Sequence, residues 1–231
     1  MSRWFDRIPS EEFEVYKTAG FARRQQPGKR PALLVIDCTL SFTGSQGKES
    51  VVEAIKEYQS ACGPAAWQAL GFIREALALF RNQGRVVVYT RPDVYDQKFA
   101  GEATKAGKGA GMASGNEIVP EIAPLPSEWI VEKAKASCFF GTPLASYLLQ
   151  KQVDTLVVVG VSTSGCVRAS VIDAFSHGFK VFLIEEGCFD RSAFAHAANL
   201  FDMDAKYANV ITFEEFNAMF SEEAAPGAAN L

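Results

Sequence analysis

Three side chains carry the chemistry open to this sequence: Asp37, Lys133 and Cys166. Asp37 closes the run Ala32-Leu-Leu-Val-Ile-Asp37, Lys133 follows Trp129-Ile-Val-Glu132, and Cys166 follows Thr155-Leu-Val-Val-Val-Gly-Val161 by way of Ser-Thr-Ser-Gly. Together they supply a base, a cation and a nucleophile. A thiol near its ordinary pKa of about 8.5 is mostly protonated at neutral pH, and the thiolate is the attacking form. Cys166 opens a predicted helix, where unpaired backbone amides favour negative charge. A Lys133 ammonium adds to that effect, while Asp37 can accept the thiol proton and return it to a leaving amine. The Cys166 backbone N–H, with one a few residues earlier in the Ser/Thr/Gly loop, supplies candidate oxyanion donors. Singly, each residue has a plain structural reading. A strand-end Asp caps a turn, a Lys after a strand is solvated, and a Cys among small residues fills a core. Convergence on one crevice makes the chemical reading the stronger.

The elements that must bring them together alternate. Short apolar runs at 32–37, 85–90, 129–132, 155–161, 180–185 and 210–212 read as strands, and 64–82, 142–150, 165–177, 193–202 and 214–220 as helices. Six strands taking turns with helices predict a single three-layer α/β/α domain on a six-stranded parallel sheet, with right-handed crossovers. In such sheets ligands bind beyond the carboxyl ends of the strands, where Asp37, Lys133 and Cys166 fall. The domain is expected to span 31–220. An aromatic-bearing arm, 1–30, precedes it and is expected to pack on the domain or on a neighbouring subunit, and a small polar tail, 221–231, is expected to fray. Residues 91–127, rich in Gly, Pro, Ala and Ser, read as a long functional loop.

Composition narrows the function classes. A net charge of −4 over 231 residues gives no basic footprint for nucleic acid. No apolar run reaches the roughly 18 residues of a membrane span, and the first residues lack a signal-peptide core, so a cytoplasmic protein is expected. Five cysteines without Cys-x-x-Cys spacing, and only His177 and His196 to join them, argue against a zinc site and for free thiols. Neither histidine falls at a strand end, so a Cys–His pairing is not expected.

The motifs Leu33-Leu-Val-Ile-Asp37, Lys133-Ala-Lys-Ala-Ser-Cys-Phe-Phe-Gly-Thr142 and Val159-Gly-Val-Ser-Thr-Ser-Gly-Cys-Val-Arg168, in this order and spacing, resemble the isochorismatase-like cysteine hydrolase superfamily over residues 31–217. The resemblance implies a catalytic triad of Asp37, Lys133 and Cys166. It also implies a non-proline cis peptide at Val161–Ser162 that directs the Ser162 N–H into an oxyanion hole shared with Cys166. The stretch Cys188-Phe-Asp-Arg-Ser192 and its continuation to Tyr207 are similar to the N-carbamoylsarcosine and maleamate amidases. That similarity implies amide or ureido hydrolysis with ammonia release through a thioester, without metal or other cofactor. It places Arg191 on a substrate carboxylate, which a guanidinium fork suits. Phe42 and Phe139 are candidate substrate-pocket walls, although both also read as core. The resemblance and the arm point to a homo-oligomer, a dimer or tetramer.

Biuret and triuret hydrolases share much of the pattern, and their substrates carry no carboxylate. The metal-binding nicotinamidases are disfavoured, because no Asp-x-His follows Asp37. From other classes, a nucleotide-binding module lacks the required Gly-rich turn, and an idle interaction subunit would not need all three candidate residues.

Overall fold

Uninterrupted Val, Ile and Leu bury both faces of a strand, and that drives the architecture here. The computed structural model describes residues 3–92 and 115–221. Residues 93–114, most of the expected long loop, and 222–231, nearly all of the expected tail, lie outside the described residues.

The strands are β1 (Pro31–Ile36), β2 (Val86–Pro92), β3 (Trp129–Lys133), β4 (Thr155–Val161), β5 (Lys180–Phe189) and β6 (Asn209–Ile211). They form one six-stranded sheet in the order β3-β2-β1-β4-β5-β6, parallel throughout, as the alternation predicts. The helices are α1 (Ser10–Thr18), α2 (Leu40–Thr43), α3 (Val51–Glu57), α4 (Pro64–Asn82), α5 (Leu144–Gln150), α6 (Arg168–Ser176), α7 (Ala193–Lys206) and α8 (Phe213–Phe220). Side chains alternate across the strands. Leu34, Val158 and Leu183 pack with Leu148 of α5, Val171 of α6 and Leu200 of α7. Leu33, Val157 and Phe182 pack on the other face with Ile73 of α4 and Phe216 of α8. The chain builds outward from β1 to one edge, then returns to add β4 on the other side. The topological switch point therefore lies between β1 and β4.

Two details set the geometry at that point. Gly160 has φ +116°, and a Cβ there would lie 2.1 Å from the Ile36 carbonyl oxygen, so only glycine lets β4 run this close to β1. Gly160→Ala is expected to cost about 3 kcal/mol or more. Gly84→Ala, at φ +63° with nothing within 4 Å, should cost only about 1–2 kcal/mol. Urea midpoints of the two variants check the difference. Second, the β4–β5 register jumps from Val158↔Leu183 to Gly160↔Cys188. The β5 chain bulges over this stretch and then rejoins β4, so the strand expected to stop at residue 185 runs on to Phe189 and delivers Asp190 beside the end of β4.

The bulge also anchors the amino-terminal arm. Glu185 accepts the Trp4 N–H at 2.9 Å and pairs with Arg3 at 2.9 Å. Phe13 and Tyr16 each stack edge-on against Phe201 of α7 at 5.1 Å. The arm thus packs on its own domain, and it contains a helix, α1, beyond the elements expected from the sequence. Among the described residues, no helix is long and apolar enough to cross a membrane.

Candidate active site

The first candidate, Asp37, is the residue just past β1. It is fully buried and its φ is +51°, so its backbone leaves the strand sharply. Its N–H bonds to the carbonyl and the hydroxyl of Thr90, both at 3.1 Å. The Thr90 hydroxyl in turn donates to Asp37 Oδ1 at 2.6 Å. Lys133 ends β3, two strands from β1, a gap of roughly 9–10 Å that only a long side chain crosses. Its Nζ reaches Asp37 Oδ2 at 2.7 Å and donates to the Lys135 carbonyl at 3.1 Å. Burial pulls the Lys133 ammonium down, but Asp37 and then Cys166 outweigh it, and its pKa ends above the ordinary lysine value.

Cys166 lies at the end of β4, in the short stretch Thr163–Val167. The sequence reading placed one continuous helix from residue 165. Instead the chain makes a wider π turn, and α6 proper starts at Arg168. Asp37 and Lys133 both act on the thiol, in opposite senses. Burial, and next the Asp37 charge, push it up to about 12, against the opposing pull of Lys133. The expectation of a thiol tuned down toward thiolate is therefore corrected, because desolvation outweighs the lysine. The resting group is a thiol, and it needs a base. Cys166 is the one cysteine of the five that is not fully buried.

The loop that carries Cys166 is braced from β5 and α7. The Val161–Ser162 peptide is cis, as the resemblance implies. Ser162 is buried, and its carbonyl accepts from Gly165 N at 2.9 Å and Val167 N at 3.2 Å. Asp190 Oδ2 accepts from Ser164 N at 2.8 Å and Ser164 Oγ at 2.6 Å, while its Oδ1 takes the Arg191 N–H at 2.8 Å. Thr163 donates to the Phe189 carbonyl at 3.1 Å and meets His196 Nδ1 at 2.8 Å. Because the one hydroxyl hydrogen of Thr163 goes to Phe189, Nδ1 carries the imidazole hydrogen. Burial holds His196 below its ordinary value, with Asp190 opposing and Arg7 reinforcing. His196 thus supports the loop and does not pair with the cysteine.

The remaining candidates divide. Arg191 is exposed at the end of β5, and its guanidinium donates to the Ser60 carbonyl. Phe42, on α2, is half-buried against the α4 side of the sheet, and its carbonyl accepts the Cys62 N–H at 2.8 Å. Phe139 is buried, and its ring packs 5.3 Å from His177 and 6.2 Å from Phe179. The neighbouring Cys138 N–H bonds to Ser170 Oγ at 3.1 Å, near the start of α6. Cys38 packs in the α4 layer. Among the described residues, no three metal-donating side chains gather. Sequence reasoning missed Thr90, Asp190 and His196. Thr90 ends a predicted strand, so the strand-end rule that selected Asp37 would also have reached it.

Residues 31–215 match the model of the isochorismatase domain. A maleamate amidohydrolase from Pseudomonas putida is 37% identical over 194 residues, covering 81% of this chain and 85% of that protein. An N-carbamoylsarcosine amidase from Arthrobacter is 29% identical over 223 residues, covering 88% and 77% respectively. Among solved structures, an isochorismatase-like hydrolase from Alkaliphilus metalliredigens superposes with a TM-score of 0.63 at 25% identity. The match covers 81% of this chain and 96% of that one.

Proposed function

The chain belongs to the isochorismatase family as an amidohydrolase acting on a non-peptide C–N bond, and from that premise we propose that Cys166 is its nucleophile, Asp37 its base and Lys133 their electrostatic partner. The observation that carries this reading is the buried Asp37–Lys133 pair at 2.7 Å, set against a thiol that burial keeps protonated.

Asp37 takes the Cys166 proton as sulfur attacks the carbonyl carbon of a carboxamide or ureido group. Lys133 offsets the negative charge that then sits on sulfur and carboxyl. The oxyanion accepts hydrogen bonds from the Ser162 and Cys166 N–H groups. The C–N bond breaks, and nitrogen leaves as ammonia with the proton held by Asp37. A water then gives its proton to Asp37 and attacks the thioester, releasing the acid and regenerating the thiol. The residues supply every proton transfer, so the reading calls for no cofactor. It takes the enzyme to be a cytoplasmic homo-oligomer, dimer or tetramer, with a small-molecule substrate.

For the substrate we propose a small linear amide or ureido acid of the maleamate or N-carbamoylsarcosine type. Its carboxylate would displace the Ser60 carbonyl from Arg191 and lie near Phe42. Ammonia release from maleamate, N-carbamoylsarcosine, biuret, triuret and nicotinamide tests this. Turnover of a carboxylate-bearing member is expected, and Arg191→Ala should raise its KM about 100-fold or more while leaving kcat within a few-fold. Turnover of biuret or triuret alone, unchanged in Arg191→Ala, would keep the triad and remove the carboxylate clamp.

A further inference from the structure

We propose that Thr90 is a positioning residue for the base, holding the plane of the Asp37 carboxylate so that a lone pair faces the Cys166 thiol. The inference rests on the reading of Asp37 as base. Thr90 lies on β2, paired in register with Ile36 of β1 and Val131 of β3, directly between the strands that supply Asp37 and Lys133. It is fully buried, so its hydroxyl is shielded from bulk water. That hydroxyl has one hydrogen, which goes to Asp37 Oδ1 at 2.6 Å, and it receives the Asp37 N–H at 3.1 Å.

Lys133 alone would not fix the carboxylate. An ammonium is a compact charge with three rotatable donors, so it holds Oδ2 without setting the carboxylate plane. A directional donor on Oδ1, with the ammonium against Oδ2, does set it. Each oxygen keeps a second lone pair, and those are the ones left for the thiol proton. The need is greater because Asp37 sits at φ +51°, off the strand path, so strand geometry does not dictate where its side chain points. The other titratable groups acting on this carboxyl are Lys133, Cys166, Cys138 and Cys38. Lys133 is already committed to Oδ2, and the Cys38 thiol faces the Ile36 carbonyl at 3.5 Å. Neither can replace the Thr90 donor.

Thr90→Val keeps the shape and β-branching and removes only the hydroxyl, whereas Thr90→Ser keeps the hydroxyl. With whichever panel substrate turns over, Thr90→Val is expected to lower kcat about 100-fold with KM within twofold, and Thr90→Ser to stay within about fivefold of the parent. Alkylation of Cys166 by iodoacetamide, read by peptide mass spectrometry, needs no substrate and should slow in Thr90→Val but not in Thr90→Ser. A Thr90→Val kcat within threefold of the parent would overturn the proposal. So would equal kcat losses in both variants that merely track their loss of thermal midpoint. Should Thr90→Val not fold, Thr90→Ala against Thr90→Ser makes the same comparison. Asp37→Asn beside them separates the two readings. If Asp37→Asn turns over normally, the base assignment fails. If it is inactive while Thr90→Val is normal, only the role of Thr90 fails.

Discussion

Cys166→Ala is expected to abolish ammonia release, by roughly 10⁴-fold or more, while the thermal midpoint stays close to that of the parent. The two halves of that expectation have separate causes. Chemically, no other cysteine is open to a substrate. Cys38, Cys62, Cys138 and Cys188 are all buried, whereas Cys166 is partly exposed. Structurally, Cys166 is half-buried in a turn already held by Asp190 and His196 through residues 163 and 164, so losing one sulfur leaves the scaffold in place. The pH behaviour follows from the same site. A thiol pushed up to about 12 is less ionised than free cysteine at pH 7.5, so iodoacetamide should modify Cys166 in the resting protein more slowly than free cysteine. The rate should climb as pH rises toward that value. Ammonia release surviving in Cys166→Ala would sink the mechanism.

Lys133→Met carries the second large effect, and it acts on stability as well as on rate. The pair it breaks is almost wholly enclosed, with side-chain exposures of 3% for Lys133 and 0% for Asp37. Removing one member of a buried pair leaves the other charged without compensation, at a cost of about 3–5 kcal/mol. For a chain of this size that corresponds to a fall of roughly 10 °C or more in the thermal midpoint. Activity should fall with it, because nothing then balances the charge shared between sulfur and carboxyl. The double variant Asp37→Asn, Lys133→Met separates the two contributions. Its midpoint should recover most of the loss, since a neutral amide and a thioether need no counter-charge, while ammonia release stays absent. Calorimetry and the ammonia assay read the two quantities independently. A single Lys133→Met variant as stable as the parent would show that the pair is solvated in solution.

The strand-end residues were legible in the sequence for a local reason. A buried parallel strand writes itself as a continuous apolar run, and the polar residue that ends it marks the crevice edge. That logic located Asp37, Lys133 and Cys166, which the fold brings to one point from β1, β3 and β4. It left Phe139 open between pocket wall and core, because an aromatic near a catalytic candidate looks the same in either place. The fold packs its ring against His177 and Phe179. It passed over α1 because no residue of that helix is fully buried, and a helix without a buried stripe shows little of the periodicity by which helices are found.

What the sequence by itself determined is the alternation of strands and helices, the parallel sheet that follows from it, and the residue types offered at each strand end. These depend on short-range patterns of side-chain polarity. The tertiary structure alone decided the strand order, the bulge in β5 that carries Asp190 to the Cys166 loop, and the contact of Thr90 with Asp37 across 53 positions. It also set the balance of burial and charge around Cys166. A spacing of residues can place a lysine near a cysteine. Whether that charge or the loss of water governs the sulfur depends on everything packed around it, and here burial dominates.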